Sequence, residues 1–314
     1  MMFFLKFLRK IKKRMLMCRI AILLKIRSRK GYYAVNINTV DMGLGARIIA
    51  ALEILLYCDR HGFQPLLKFG YCEKKKQQTD YFRKLFNYKN INKNIPDDIH
   101  YTSIYDCSYL PGKKENDLAL AAVTLNDAKQ LFDKYLLFNP EITDEVLQFT
   151  EKWFTGKRVL GIHYRGTDKV NEATSVSFNQ LLHATQEILD NDDPFDLIFI
   201  STDDTRIIEQ LKIADIQIPV VCREDIFRTD TGVRFHLGAD NSKEVIHYEA
   251  IVNCLILSHC DFLLKTASLL SDCSMIFNPS LPAVILNTPY ENRLWWPTTE
   301  IIKKYSTFPN IVRK

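Results

Sequence analysis

The sequence predicts an α/β fold of two Rossmann-like domains facing across a cleft, with a basic amphipathic helix at the N-terminus. Three observations predict it. Residues 32–38 read as a strand, followed by a glycine-bearing loop, D-M-G-L-G at 41–45, a long apolar helix and a second strand at 65–69. Such a β-loop-α-β unit favours a parallel sheet. Strand and helix patterns alternate again from Val159 onward. At 314 residues and 47% hydrophobic, the chain is also larger than one core usually supports.

Taken in order, the first element is residues 1–30. They hold 11 of the 42 Lys and Arg and no Asp or Glu. The other 284 residues therefore carry 31 basic and 37 acidic groups, so the basic character belongs to this arm alone. Phe4, Phe7, Leu8, Ile11, Met15, Ile22 and Ile26 recur at helical spacing among the cations. Charge interrupts the segment too often for it to span a bilayer. It also lacks the compact apolar region and cleavage site of a signal peptide. A basic amphipathic helix on an anionic membrane surface fits best, with a soluble docked helix as the alternative. The apolar face is as prominent as the charge, so no nucleic-acid partner is expected.

The first domain is expected over 31–154. Its helix runs from about Ala46 to His61, and further helices are expected at 80–88, 126–138 and 141–154. Residues 70–115 are polar and weakly patterned. The second domain is expected over 155–295. Its strands are 159–164, 197–201, 218–222, 262–265 and 283–286, with helices near 177–190, 205–212 and 244–258 and a turn or helix start at 266–274. Residues 223–243 read as a polar loop, and 296–314 as a C-terminal tail. Gly and Pro number only 11 each, which argues against a disordered or fibrous chain. The eight cysteines are scattered with no C-x-x-C pair, so a reducing, cytoplasmic setting is expected, without zinc or disulfides.

Residues 159–172, V-L-G-I-H-Y-R-G-T-D-K-V-N-E, carry the most chemistry. An apolar strand runs directly into His163, Arg165, Asp168, Lys169 and Glu172. In an α/β sheet, ligands bind at the carboxyl ends of strands. Two cations, a histidine and two carboxylates there point to a site for an anionic leaving group. A charged turn leaving the core explains Arg165 alone, but the whole cluster is costly unless paired or used. The G-L-G loop lacks the third glycine of a dinucleotide fingerprint, since Ile48 stands there. It reads either as a tight turn entering a helix or as half of a diphosphate site.

The segment H-Y-R-G-T-D-K-V resembles the H-x-R-R-T-D-K-V segment of the α1,6-fucosyltransferases, the core N-glycan and rhizobial nodulation enzymes. Three further segments agree in order: N-I-N with G-L-G at 36–45, I-S-T-D-D at 200–204, and C-D-F-L-L-K-T-A-S-L-L-S at 260–271. The resemblance covers about 35 to 290 as ordered landmarks. It implies a GT-B-like fold and inverting, metal-independent transfer of L-fucose from GDP-fucose to a glycan hydroxyl. By position, Arg165 would hold the donor's β-phosphate, and His163 would sit beside the nucleotide. Asp168 and Lys169 would order the site, and Asp203 and Asp204 would brace it. Gly43, Leu44 and Gly45 would offer backbone N–H groups to the diphosphate. Ser268 falls on the phosphate-side serine segment, and Glu172 is the nearest match to the family's general base.

There are departures. Glu172 lies one position closer to the Lys than in the family. Gly166 replaces the second arginine, so an α1,6 linkage is favoured less firmly than the sugar. Asn253 stands where the family has an Asp that pairs with guanine. Asp203-Asp204 also invites reading as a D-x-D-like metal site, but its spacing differs, and no metal is expected. The sequence thus implies a peripheral membrane fucosyltransferase acting on a glycan or lipid-linked acceptor in surface-polysaccharide biosynthesis. The alternatives are a transferase using another GDP- or UDP-sugar, and a non-catalytic, membrane-associated sugar-binding domain.

Overall fold

The computed structural model describes residues 31–38, 42–70, 80–89, 99, 101–104, 123–165, 172–191, 193–226, 228 and 243–307. The basic arm lies outside these residues. So do Asp168, Lys169, Gly166 and most of 70–115 and 229–242. The chain divides into two compact units. Unit 1 comprises Met1–Met42, Arg47–Ala122 and Gln130–Leu137, and unit 2 comprises Gly43–Ala46, Val123–Lys129 and Phe138–Lys314.

In unit 1, β1 (Tyr32–Asn36) and β2 (Gln64–Lys68) run parallel, with Tyr32 opposite Gln64. Helix α1 (Leu44–His61) connects them, as the sequence pattern requires. A short strand, β4 (Thr102–Ser103), pairs parallel to the other edge of β1, giving the order β2-β1-β4. Two expected helices are corrected here. Residues 80–88 form one turn, α2 (Phe82–Leu85), and then a strand, β3 (Phe86–Tyr88). Helix α3 (Leu125–Tyr135) stops three residues early, because Leu136–Phe138 is strand β5, the partner of β3. The reason is an aromatic cluster. Phe69 lies 5.1 Å from Phe82 and 6.0 Å from Phe86, and Phe86 lies 5.8 Å from Phe132. Packing of these rings, about 0.5–1.5 kcal/mol per pair beyond area, outweighs local helix propensity.

Arg47 organises the exit from β1. It is fully buried and donates to the carbonyls of Ile37, Met42 (3.1 Å) and Gly70 (3.4 Å). Its guanidinium lies 5.8 Å from the Phe69 ring and 5.7 Å from the Tyr81 ring. Asn36 accepts the Gly70 N–H at 2.9 Å, and a Cβ at position 70 would stand 2.4 Å from that oxygen. The carboxamide of the N-I-N segment is thus committed to the end of β2.

Unit 2 starts its sheet after α4 (Pro140–Trp153), which Asn139 caps by accepting the Glu141 N–H. Six strands follow: β6 (Val159–Tyr164), β7 (Leu197–Thr202), β8 (Val220–Val221), β9 (Phe262–Lys265), β10 (Ala283–Ile285) and β11 (Ser306–Thr307). Every pairing is parallel, in the order β11-β10-β9-β6-β7-β8. All six residues of β6 and of β7 are buried, as expected for strands covered on both faces. The connecting helices are α5 (Phe178–Asn191), α6 (Thr205–Ile213), α7 (Lys243–Ser258) and α8 (Leu269–Phe277). The strand expected at 218–222 shrinks to the two edge residues of β8. Residues 298–307, read from sequence as tail, form helix α9 (Thr298–Lys304) and β11, which pairs with β10.

The core on one face joins Leu160, Ile162, Ile198, Ile200 and Leu264 to Leu181, Ala184 and Ile188 of α5. Phe149, Phe154 and Phe199 pack together as a second cluster. Among the described residues, Cys58, Cys254, Cys260 and Cys273 are buried free thiols. Burial pushes the Cys254 thiol up to about 12, so it stays protonated and packs as a small apolar group.

Candidate functional site

Strands β6 and β9 are neighbours, yet the chain leaves β6 toward β7 and β8 and leaves β9 toward β10 and β11. This is a topological switch point, where a crevice opens beyond the carboxyl ends of the strands. Arg165 is the first residue after β6, and Thr266–Ser268 follow β9. They are laced together: Thr266 N–H donates to His163 O at 2.9 Å, and Arg165 N–H donates to Thr266 Oγ1 at 3.0 Å. The Arg165 side chain is 18% exposed, and its Nε lies 3.9 Å from Asp203 Oδ2. That is a loose pairing, which orients the guanidinium and its planar fork of donors.

Asp203 and Asp204 divide the work at the end of β7. Asp204 caps α6 by accepting the Arg206 N–H, and it receives Arg206 Nε at 2.9 Å and Nη2 at 2.6 Å. Its role is structural, while Asp203 faces Arg165. His163 is 4% exposed within β6. Burial, and then the Asp204 and Asp203 charges, raise the Tyr164 pKa, so its hydroxyl remains a donor to Val176 O.

Asp203, His163 and Arg165 line one pocket together with Glu249 and Asn253 of α7, Ile226 and Leu270. Asn253 is 7% exposed, and its Oδ1 is buried with no hydrogen-bond partner among the described residues. Leaving such a carbonyl unmatched costs about 1–3 kcal/mol. A ligand N–H in the pocket removes that cost.

Ser268 caps α8 by accepting the Leu270 N–H at 3.3 Å, so its side chain is engaged with the helix start. The helix N-terminus still directs N–H groups and a partial positive charge toward the switch point. The second glycine of the G-L-G loop has a packing reason. A Cβ on Gly45 would stand 2.6 Å from Leu269 C and Leu270 N, so only glycine lets the start of α1 meet the start of α8. Gly43 has open space beside it, and Leu44 is buried. Glu172 is half-buried, and its carbonyl accepts the Tyr290 N–H at 2.8 Å. Arg165, His163, Asp203 and Asn253 are thus brought together; Asp168 and Lys169 lie outside the described residues.

No family model matches the chain, and no curated protein matches it by sequence. Solved structures do match by shape. The crystal structure of NodZ α-1,6-fucosyltransferase soaked with GDP-fucose matches with a TM-score of 0.54 at 13% identity, covering 82% of this chain and 99% of that one. Fucosyltransferase NodZ from Bradyrhizobium matches at 0.55 and 14% identity, covering 83% and 99%. Arabidopsis thaliana FUT1, as a point mutant in complex with GDP, matches at 0.50 and 14%, covering 83% and 71%. The chain has the fold of these fucosyltransferases. It is the α/β class that the β-loop-α-β pattern and the landmark segments foretold.

Sequence reasoning overlooked Glu249, Ile226 and Thr266. Glu249 stands one helical turn before Asn253, and that spacing was the available signal. Ile226 gave none. The chain on either side of it is anchored by Arg223, which donates to Glu145 on α4 and to Glu249 O, and by Arg228, which donates to Arg223 O. Also unanticipated is a fully buried pair, Lys265 with Asp272 at 2.6 Å, whose second oxygen receives the Thr298 hydroxyl.

Proposed function

We propose that this chain is a glycosyltransferase that moves L-fucose from GDP-fucose to a glycan hydroxyl. The observation that carries the reading is Arg165 at the switch point, half-steadied by Asp203 and lining the same pocket as the unmatched Asn253 carbonyl. The guanidinium suits two diphosphate oxygens. The Asn253 carbonyl suits an N–H of guanine. The shared fold with proteins whose structures hold GDP or GDP-fucose supports the same assignment.

In the proposed reaction, an acceptor hydroxyl oxygen attacks C1 of fucose while the bond from C1 to the β-phosphate oxygen breaks. The bonding electrons leave with GDP, and the acceptor proton passes to the Glu172 carboxylate. Attack opposite the leaving group inverts C1. Negative charge grows on the diphosphate, where Arg165 and the N–H groups at the starts of α8 and α1, including Gly43 and Leu44, are fixed beforehand. One such donor typically contributes about 10²–10³ in rate. Asp203 faces Arg165, and Asp204 holds Arg206, which supports a site run by cations of the protein without a metal. An α1,6 linkage is the one favoured by the resemblance of the H-Y-R-G-T-D-K-V segment, with Gly166 in place of the second arginine as its departure. Residues 1–30 are proposed to hold the enzyme on an anionic, cytoplasmic membrane surface, beside a lipid-linked or polysaccharide acceptor.

A second reading, transfer from a different nucleotide sugar, is favoured by the carboxamide of Asn253, which both accepts and donates. Thermal unfolding with each nucleotide separates the two. GDP and GDP-fucose should raise the midpoint and UDP should not, since a ligand bound only to the native state stabilises it. An equal rise with UDP supports the second reading, and no rise with any of the three rejects both.

A further inference from the structure

Two walls of the pocket proposed for the nucleotide hang from one carboxylate that does not line it. One wall is Ile226, on the chain that follows β8. The other is a stripe of α7, Ile246, Glu249, Ala250 and Asn253, whose spacing of three and four residues puts them on one helical face. Arg223 reaches toward both. It donates through Nη1 to Glu249 O at 3.3 Å and through Nη2 to Glu145 Oε1 on α4. Arg228 donates in turn to Arg223 O, so the chain is tied on both sides of Ile226. The second oxygen of Glu145 accepts the Tyr248 hydroxyl at 2.9 Å, and Tyr248 immediately precedes Glu249 on α7. Burial, and then Glu145 itself, push the Tyr248 pKa up to about 12, so the hydroxyl stays a donor.

The ties differ in strength. The Arg223 side chain is 5% exposed, whereas Asp225, 3.8 Å from it, is 76% exposed. A buried guanidinium is costly unless a partner meets it closely, and among the described residues that carboxylate partner is Glu145. Glu145 lines a separate cavity, with Lys152 and Cys222, and is not among the residues lining the Asn253 pocket. Its carboxylate therefore acts on a bound nucleotide through Arg223 and Tyr248.

We propose that Glu145 is a positioning residue for base selection: it fixes the Ile226 chain and the Asn253 face of α7 to one point on α4, and so holds the two walls in register. This rests on the donor reading above. The Asn253 carbonyl discriminates between bases only while it stays aimed, because a hydrogen bond weakens steeply as its angle closes. A carboxylate with both oxygens engaged restrains both walls at once.

The test uses the full chain, titrated calorimetrically with GDP and with ADP. The wild type should prefer GDP. Glu145→Ala should weaken GDP about tenfold and leave ADP within about twofold, so that the preference contracts. Glu145→Gln keeps an acceptor for Arg223 and a hydrogen-bond partner for Tyr248, and should return GDP affinity to within about threefold of the wild type. Tyr248→Phe cuts only the tie to α7 and strands no buried charge, so it serves should Glu145→Ala fail to fold; it should contract the preference about threefold. An unchanged preference in either folded variant overturns the proposal. So does an equal loss for GDP and ADP, the mark of a merely structural role, and so does a loss in Glu145→Gln as large as in Glu145→Ala. A wild type that binds neither nucleotide, or shows no preference for GDP, overturns the donor reading and this proposal with it.

Discussion

Replacing Asp272 by Ala should cost unit 2 a large part of its stability. Lys265 and Asp272 are both completely buried, 2.6 Å apart, and Asp272 also receives the Thr298 hydroxyl. Removing the carboxylate leaves an ammonium in a dry interior, at a cost of about 3–5 kcal/mol. The Thr298 hydroxyl loses its acceptor as well, for about 1 kcal/mol more. At about 2–4 °C per kcal/mol for a body of this size, the midpoint should fall by at least about 8 °C. The assay is built in, because the three tryptophans, Trp153, Trp295 and Trp296, all belong to unit 2. Their emission during urea unfolding reports this unit alone. The double variant Lys265→Met with Asp272→Leu should recover most of the loss, since a packed apolar pair is often neutral or better. A single variant within about 1 kcal/mol of the wild type would refute the reasoning.

Two further outcomes follow. A Gly→Ala change inside a helix ordinarily gains up to about 1 kcal/mol, and Gly45, in the first turn of α1, would gain at most that. Here the added Cβ meets backbone at 2.6 Å, so urea unfolding should show a net loss of about 1–3 kcal/mol, and a gain would contradict the packing role. Deleting residues 1–30, with their 11 cations, should release the protein from vesicles containing phosphatidylserine, and co-sedimentation unchanged by the deletion would contradict the membrane role.

The buried strands were the most legible part of the chain. β6 and β9 match their expected bounds, because a strand covered on both faces reads as an unbroken apolar run. The misread elements are those decided by distant partners. Phe86–Tyr88 and Leu136–Phe138 each look helical alone and become strands by pairing with each other. The second aspartate of S-T-D-D looked like a site residue, but its carboxylate caps α6 and holds Arg206. Local sequence does not separate it from Asp203, because the difference lies in which way each carboxylate faces. The post-β8 segment was opaque for a similar reason. Its conformation depends on Arg223 reaching Glu145, 78 residues away. The position of Arg165 beside the pocket was legible because a cation ending a buried strand is costly unless it is paired or used.

The most direct measurement is the calorimetric affinity of wild type and Arg165→Ala for GDP and for GMP. A guanidinium that grips the β-phosphate predicts GDP binding weakened about tenfold to a hundredfold, at roughly 1.4 kcal/mol per decade, with GMP binding within about twofold of wild type. Unchanged GDP affinity, or an equal loss for both nucleotides, would contradict it.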